Sequence, residues 1–148
     1  MIVKYLRDHL RSVAAIRDRV DRGADYPGIY ADNVPQGHVG ECIALQVIVT
    51  DHNYHLGGEV ADSGSTVQVT VYSDKAAKAF SLMELIRNRL SGYRGLMGDS
   101  DETRVKTCIV ENDTGADYDE TSEGADQFVH TCTADYKLIY TTPDPTLA

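Results

Sequence analysis

Residues 67–95 constrain the fold more than any other stretch, because they change from one periodicity to another within a few residues. Val67-Gln68-Val69-Thr70-Val71-Tyr72 alternates strictly. That places Val67, Val69 and Val71 on one face of a sheet and Gln68, Thr70 and Tyr72 on the other. After Ser73-Asp74 the apolar residues recur with a helical period, and Ala76, Ala79, Phe80, Met83, Ile86 and Leu90 share one stripe. Ser73 or Asp74 is suited to cap the helix start, and Gly92 to take the left-handed position beyond its end. Nothing in this half-sheet with its helix resembles a reaction centre. It reads as a platform.

The remaining elements follow from the same two periods. Residues 3–20 read as a first helix with Val3, Leu6, Leu10, Val13, Ile16 and Val20 inward. Lys4, Arg7, Asp8, Arg11, Arg17 and Asp18 form its solvated or partner-facing side. Residues 26–30 are an edge segment, interrupted by Pro27 and Gly28, and residues 34–37 a turn. Residues 41–50 are a strand apolar on both faces, as in a central strand covered on two sides. Residues 51–66 read as a polar hairpin tip. Residues 104–111 form a strand with Val105, Thr107 and Ile109 on one face, and residues 112–126 an acidic, turn-rich loop. The last strand, 127–141, is long enough to require a bulge or bend. The predicted fold is α+β: a mainly antiparallel β-sheet with two α-helices packed on one face and long projecting hairpin loops. Residues 1–142 form one domain and 143–148 a loose tail.

Charge and side-chain chemistry exclude more than they assign. With 23 acidic against 14 basic residues, the net charge of −9 disfavours tight nucleic-acid binding, which needs a clustered basic surface to displace counterions. No apolar run approaches the ~18 residues of a membrane span, and the charged N-terminus lacks a secretory core. Cys42, Cys108 and Cys132 form no CxxC and read as small buried hydrophobes. His52 and His55, beside Asp51, are the one cluster resembling a metal site, but a third ligand at a recognisable spacing is missing. His130 reads as a half-exposed strand residue. The acids of residues 113–126 lack the calcium-loop order, and no nucleophile elbow or P-loop is present. No catalytic residue, metal or cofactor is assigned. Nine tyrosines with no tryptophan suit surfaces that are apolar on one side and wet on the other.

Several segments in series resemble the tail-completion, or tail terminator, proteins of long-tailed bacteriophages, prophages and gene transfer agents. They are Tyr26-Pro27-Gly28-Ile29-Tyr30, Val34-Pro35-Gln36-Gly37, Tyr54-His55-Leu56-Gly57-Gly58 before the 67–69 strand, residues 76–95 closing on Leu90-Ser91-Gly92-Tyr93-Arg94-Gly95, and the late acid-rich hairpin. The chain departs from the pattern in a long hairpin tip at 61–65 and an extended acidic loop. The resemblance implies a non-enzymatic virion protein, assembled in the host cytoplasm. It would form a homohexameric ring on the head-proximal end of the tail tube, stop tube growth and present a surface to the head connector. Its partners would be further copies of itself, the tube protein and the connector, with DNA passing unbound through the channel. Tyr54, His55, Leu56, Gly57, Gly58, Asp117, Tyr118 and Asp119 are the expected contact residues. The alternatives are a head-side connector of the same particle, a small metal-dependent enzyme using His52 and His55, and a monomeric ligand-binding module.

Overall fold

The strand-to-helix unit forms where its periodicity dictates, and it organises the rest of the chain. The computed structural model describes residues 2–31, 34, 40–55, 58–97, 103–120 and 128–141. For the described residues among 51–63, 112–120 and 128–129 it describes the backbone. Among the described residues three helices, α1 (Ile2–Arg11), α2 (Ala14–Val20) and α3 (Ala76–Leu90), accompany six strands. The strands are β1 (Ile29–Tyr30), β2 (Cys42–His55), β3 (Gly58–Ser73), β4 (Gly95–Met97), β5 (Thr103–Glu120) and β6 (Phe128–Thr141). They form one sheet in the order β1-β2-β3-β6-β5-β4. Among the described strands only β1–β2 is parallel, so the sheet is mixed.

One face of the sheet carries the core. Ile43, Leu45, Val67, Val69, Val71, Cys132, Ala134, Tyr136 and Leu138 are buried on it. Gln68, Thr70, Tyr72, Thr133 and Asp135 alternate with them and are half-exposed. Helix α3 lies against β3, β5 and β6, while α1 touches β1 and β2 near one margin and β4 at the other. A sheet whose opposite margins both reach one helix is curled around it.

The predicted single N-terminal helix is two. Ser12 donates its Oγ to the His9 carbonyl at 2.5 Å, a side-chain bond that competes with the helical ladder. Val13 is extended (φ −88°, ψ 109°) and begins α2 without a side-chain cap. The break keeps Ile16 and Val20 in the core with Leu6 and Leu10. Asp8, expected in solvent, is buried.

Helix α3 also departs in detail. Its buried residues are Ala79, Leu82, Met83, Ile86 and Leu90, and Phe80 is 52% exposed. At 100° per residue the stripe runs through Leu82, leaving Phe80 about a quarter-turn outside it. Lys75 is the N-cap, without a side-chain cap, and Ser73 Oγ accepts the Lys75 N–H instead. Gly92 is left-handed as expected (φ +74°). Its N–H donates to the Cys108 carbonyl at 2.9 Å, tying the helix end to β5.

Both segments read as long loops are largely strand. Residues 51–55 continue β2 and residues 58–66 belong to β3, paired through His55↔Gly58. Residues 112–120 continue β5 against β6. Strand pairing overrides the turn-forming composition here. Asp62–Ser65 align with Leu138–Thr141, and Ser65 Oγ bonds the buried Tyr140 hydroxyl at 2.8 Å, so the Ser65 hydroxyl is satisfied inside the ladder.

The irregularity expected in β6 lies in β5. Pairing β3–β6 runs through twelve consecutive positions without a shift, whereas β5–β6 shifts after Val105, Val110 and Thr114. Each extra residue is on β5. Lys106 therefore resets the phase: Cys108 joins Val105 in the core and Ile109 turns outward at 49% exposure, the reverse of the predicted faces for those positions.

Burial keeps the cysteines inert. Cys42, Cys108 and Cys132 are buried and form no disulfide, and desolvation pushes the Cys42 thiol up to about 11 and that of Cys108 to about 12. The thiolate is the reactive form. Neither reaches it at neutral pH.

Candidate assembly surfaces

The strand register separates the two predicted contact regions. Strand β3 pairs with β6 from Asp62↔Thr141 to Ser73↔His130. Among the described residues, β3 beyond Asp62 has only β2 beside it, through Tyr54↔Glu59 and His55↔Gly58. Among the described residues, β6 beyond Ser73 has only β5, through Asp119↔Val129 and Glu120↔Phe128. The two regions thus lie at opposite ends of a 16-residue strand, roughly 50 Å apart at ~3.3 Å per residue. Tyr54, His55 and Gly58 belong to one end, and Asp117, Tyr118 and Asp119 to the other. Leu56 and Gly57 lie outside the described residues, as do most of residues 34–37 and the tail 142–148.

His52 and His55 lie on β2 on either side of the register shift between His52 and Tyr54. Among the described residues, no group of three His, Cys, Asp or Glu side chains is placed to hold a metal. No described helix is long and apolar enough to cross a membrane.

Sequence reasoning missed one surface. Among the described residues, β1 flanks β2 only at Ile43 and Ala44. Beyond that, Val47, Ile48 and Val49 are 37%, 49% and 47% exposed. The run Cys42–Thr50 carries no charge and was expected to be covered on both faces. An apolar strand that awaits a partner has the same pattern as one already buried, so alternation could not separate them.

A second surface is concave. The break between α1 and α2 opens a cleft of about 320 Å³ lined by Asp8, Arg11, Ser12 and Arg17. Asp8 has a side chain 6% exposed, with Oδ1 lying 3.5 Å from Arg7 Nε. Its Oδ2 is buried without a hydrogen-bond partner. Arg19 braces the other end of α2, reaching Glu41 at 2.5 Å, the Lys78 carbonyl and Ser81 Oγ, both at 3.0 Å.

Next to Asp8 on α1, the buried His9 ring accepts a hydrogen bond at Nε2 from Arg89 Nε at 3.2 Å. It packs on Tyr93 with centroids 4.4 Å apart. Desolvation, then the Arg89 charge, lowers its pKa from 6.5 to about 4. The unfolded chain therefore binds more protons between those values. Stability held above pH 6.5 is lost as pH falls toward 4, by up to about 3 kcal/mol. Thermal unfolding at pH 7.5 and 4.5 should show a smaller acid-induced drop for His9→Gln than for the native chain.

A sequence profile described as "Tail completion protein gp17" matches residues 4–121. Among solved structures, a chain of the "Virion of native gene transfer agent (GTA) particle" has the same fold. It superposes with a TM-score of 0.61 at 17% identity, over 93% of this chain and 94% of that one. No curated protein matches. With the family profile spanning most of its length, the chain belongs to the tail completion protein gp17 family and is a structural component of a phage-type virion tail.

Proposed function

We propose that this chain is a tail terminator. Six copies close into a ring on the head-proximal end of the tail tube, stop addition of tube subunits and offer their outer surface to the head connector. The observation that carries this reading is the placement of two unlike, two-stranded ends at opposite limits of one sheet. A subunit capping a tube and receiving a head must make different contacts along its length, and a closed ring needs unlike surfaces between neighbours. The charge of −9 per copy gives the ring a lumen that repels phosphate, so DNA slides through without adhering.

The test is the double substitution Tyr54→Asp with Leu56→Asp, introduced into the particle-producing host. Overlong or headless tails in electron micrographs are expected. Normal-length tails joined to heads would remove the β2–β3 end from the mechanism. Location separates the terminator from a head-side connector: the tagged protein should stay with tails made without heads.

A further inference from the structure

The exposed apolar side chains of this subunit are not scattered. Among the described residues six large hydrophobics are exposed, and five stand at the two margins of the sheet. Val47, Ile48 and Val49 are on β2 at one margin, and Leu96 on β4 and Ile109 on β5 are at the other. Phe80, on α3, is the sixth. Among the described strands, β1 flanks β2 only at Ile43 and Ala44, and β4 flanks β5 only from Thr103 to Val105. Both aliphatic patches lie past these short stubs.

The register puts the two patches level and on the same face. Val49 pairs with Thr66, Thr66 with Lys137, and Lys137 with Ile109, so the four residues form one row across the sheet. Thr66 alternates with the buried Ser65 and Val67, which places the row on the face away from the core. The sheet is curled, with α1 touching β2 at one margin and β4 at the other. Curling turns the outer sides of the two margins away from each other, so Val49 and Ile109 face opposite flanks of the subunit. One copy cannot bring them together.

We propose that these flanks form the seam between neighbours in the ring, with Val47, Ile48 and Val49 of one copy packed against Ile109 of the next and Leu96 at its border. A cyclic repeat turns without rising, so with the strands along the ring axis each row meets the same row of its neighbour. Gly92 N–H already occupies the Cys108 carbonyl on β5, so the seam is made by side chains and not by a shared ladder. Size argues for a second copy as the occupant. Three side chains against two fall well short of the ~1,200 Å² that a standing pair of proteins buries, and a lone partner would not stay. A ring gives every copy two such contacts and locks them by closure, and it leaves the two-stranded ends for the tube and the head. The seam rests on the ring reading above.

Val49→Asp and Ile109→Lys test it. Each alone sets a charge against an aliphatic patch at every contact and should reduce normally terminated tails at least tenfold. Both positions are about half exposed in the single copy, so each purified variant should melt as the native protein does. The two substitutions together place opposite charges across the seam and should restore normal tails. In a second arm, Val49→Cys with Ile109→Cys is mildly oxidised on assembled tails. It should yield a ladder of cross-linked multiples on a non-reducing gel, and either cysteine alone should yield none, because the native cysteines are buried. If the charge pair fails to restore tails, the ladder decides. Single variants that terminate normally, terminated tails without a ladder, or a cross-link from position 49 to a different tail protein would each overturn the seam and leave the ring intact. Absence of the native protein from tails would instead overturn the ring itself.

Discussion

Replacing Gly28 with alanine is expected to destabilise the protein by about 3 kcal/mol or more, combining left-handed backbone strain with a backbone clash. Gly28 sits at φ +89°, and an added Cβ would lie 2.3 Å from the Val20 carbonyl oxygen and 2.5 Å from its carbon. Both are main-chain atoms at the end of α2, so no side-chain rotation relieves the overlap. The Gly28 carbonyl also accepts the Ile43 N–H at 2.8 Å, so any shift that makes room pulls β1 away from β2. For a chain of this size the loss corresponds to a fall of roughly 10 °C in Tm. Gly92→Ala is the control. It has φ +74° and nothing within 4 Å of the new Cβ, so it should cost only about 1 kcal/mol. Thermal unfolding followed by circular dichroism distinguishes the two, and equal shifts would show that the Val20 contact yields.

Tyr136→Ala should cost about 3–5 kcal/mol, the range for emptying a buried aromatic site. Tyr136 is fully buried, on β6 between Ala134 and Leu138. Its partners across the sheet are Val67 on β3 and Val110 on β5, and its hydroxyl lies 3.7 Å from Met83 Sδ. It therefore joins three strands to α3, and the hole left by its removal is walled by regular elements that cannot collapse. Tyr136→Phe keeps the ring and should lose no more than about 1 kcal/mol. Chemical denaturation of the three proteins checks the ratio. A Phe variant as unstable as the Ala variant would place the stabilisation in the hydroxyl.

What the sequence revealed and what it hid divide along a physical line. Regular alternation in β3 and β6, and the core stripe of α3, are local patterns that burial merely fills in. Errors arose where pairing at a distance decided the outcome. Residues 51–55, 58–66 and 112–120 are rich in Gly, Asp and Ser, yet they are strand because β2 and β3 pair with each other past the reach of β6, and β6 supplies a ladder to residues 62–66 and 112–120. The break at Ser12 hides because helical spacing survives it. The flipped faces of Cys108 and Ile109 follow from one extra residue, Lys106, which no periodic template anticipates. Of the candidate contact residues, the sequence grouped them by composition, and the register then sent them to opposite ends of the sheet. The cleft was beyond reach, since Asp8 reads as one more surface charge until the corner folds over it.

The extra residue at Ile48, where β2 falls out of step with β3 between Val47 and Val49, has a consequence for life before assembly. A neutral strand with three outward aliphatic residues invites stray chains to zip alongside it and extend into fibrils. A kinked ladder offers such an intruder only a few amides in line before the spacing fails. The subunit can stay sticky enough to be captured by its proper neighbour and still be a poor seed for uncontrolled stacking.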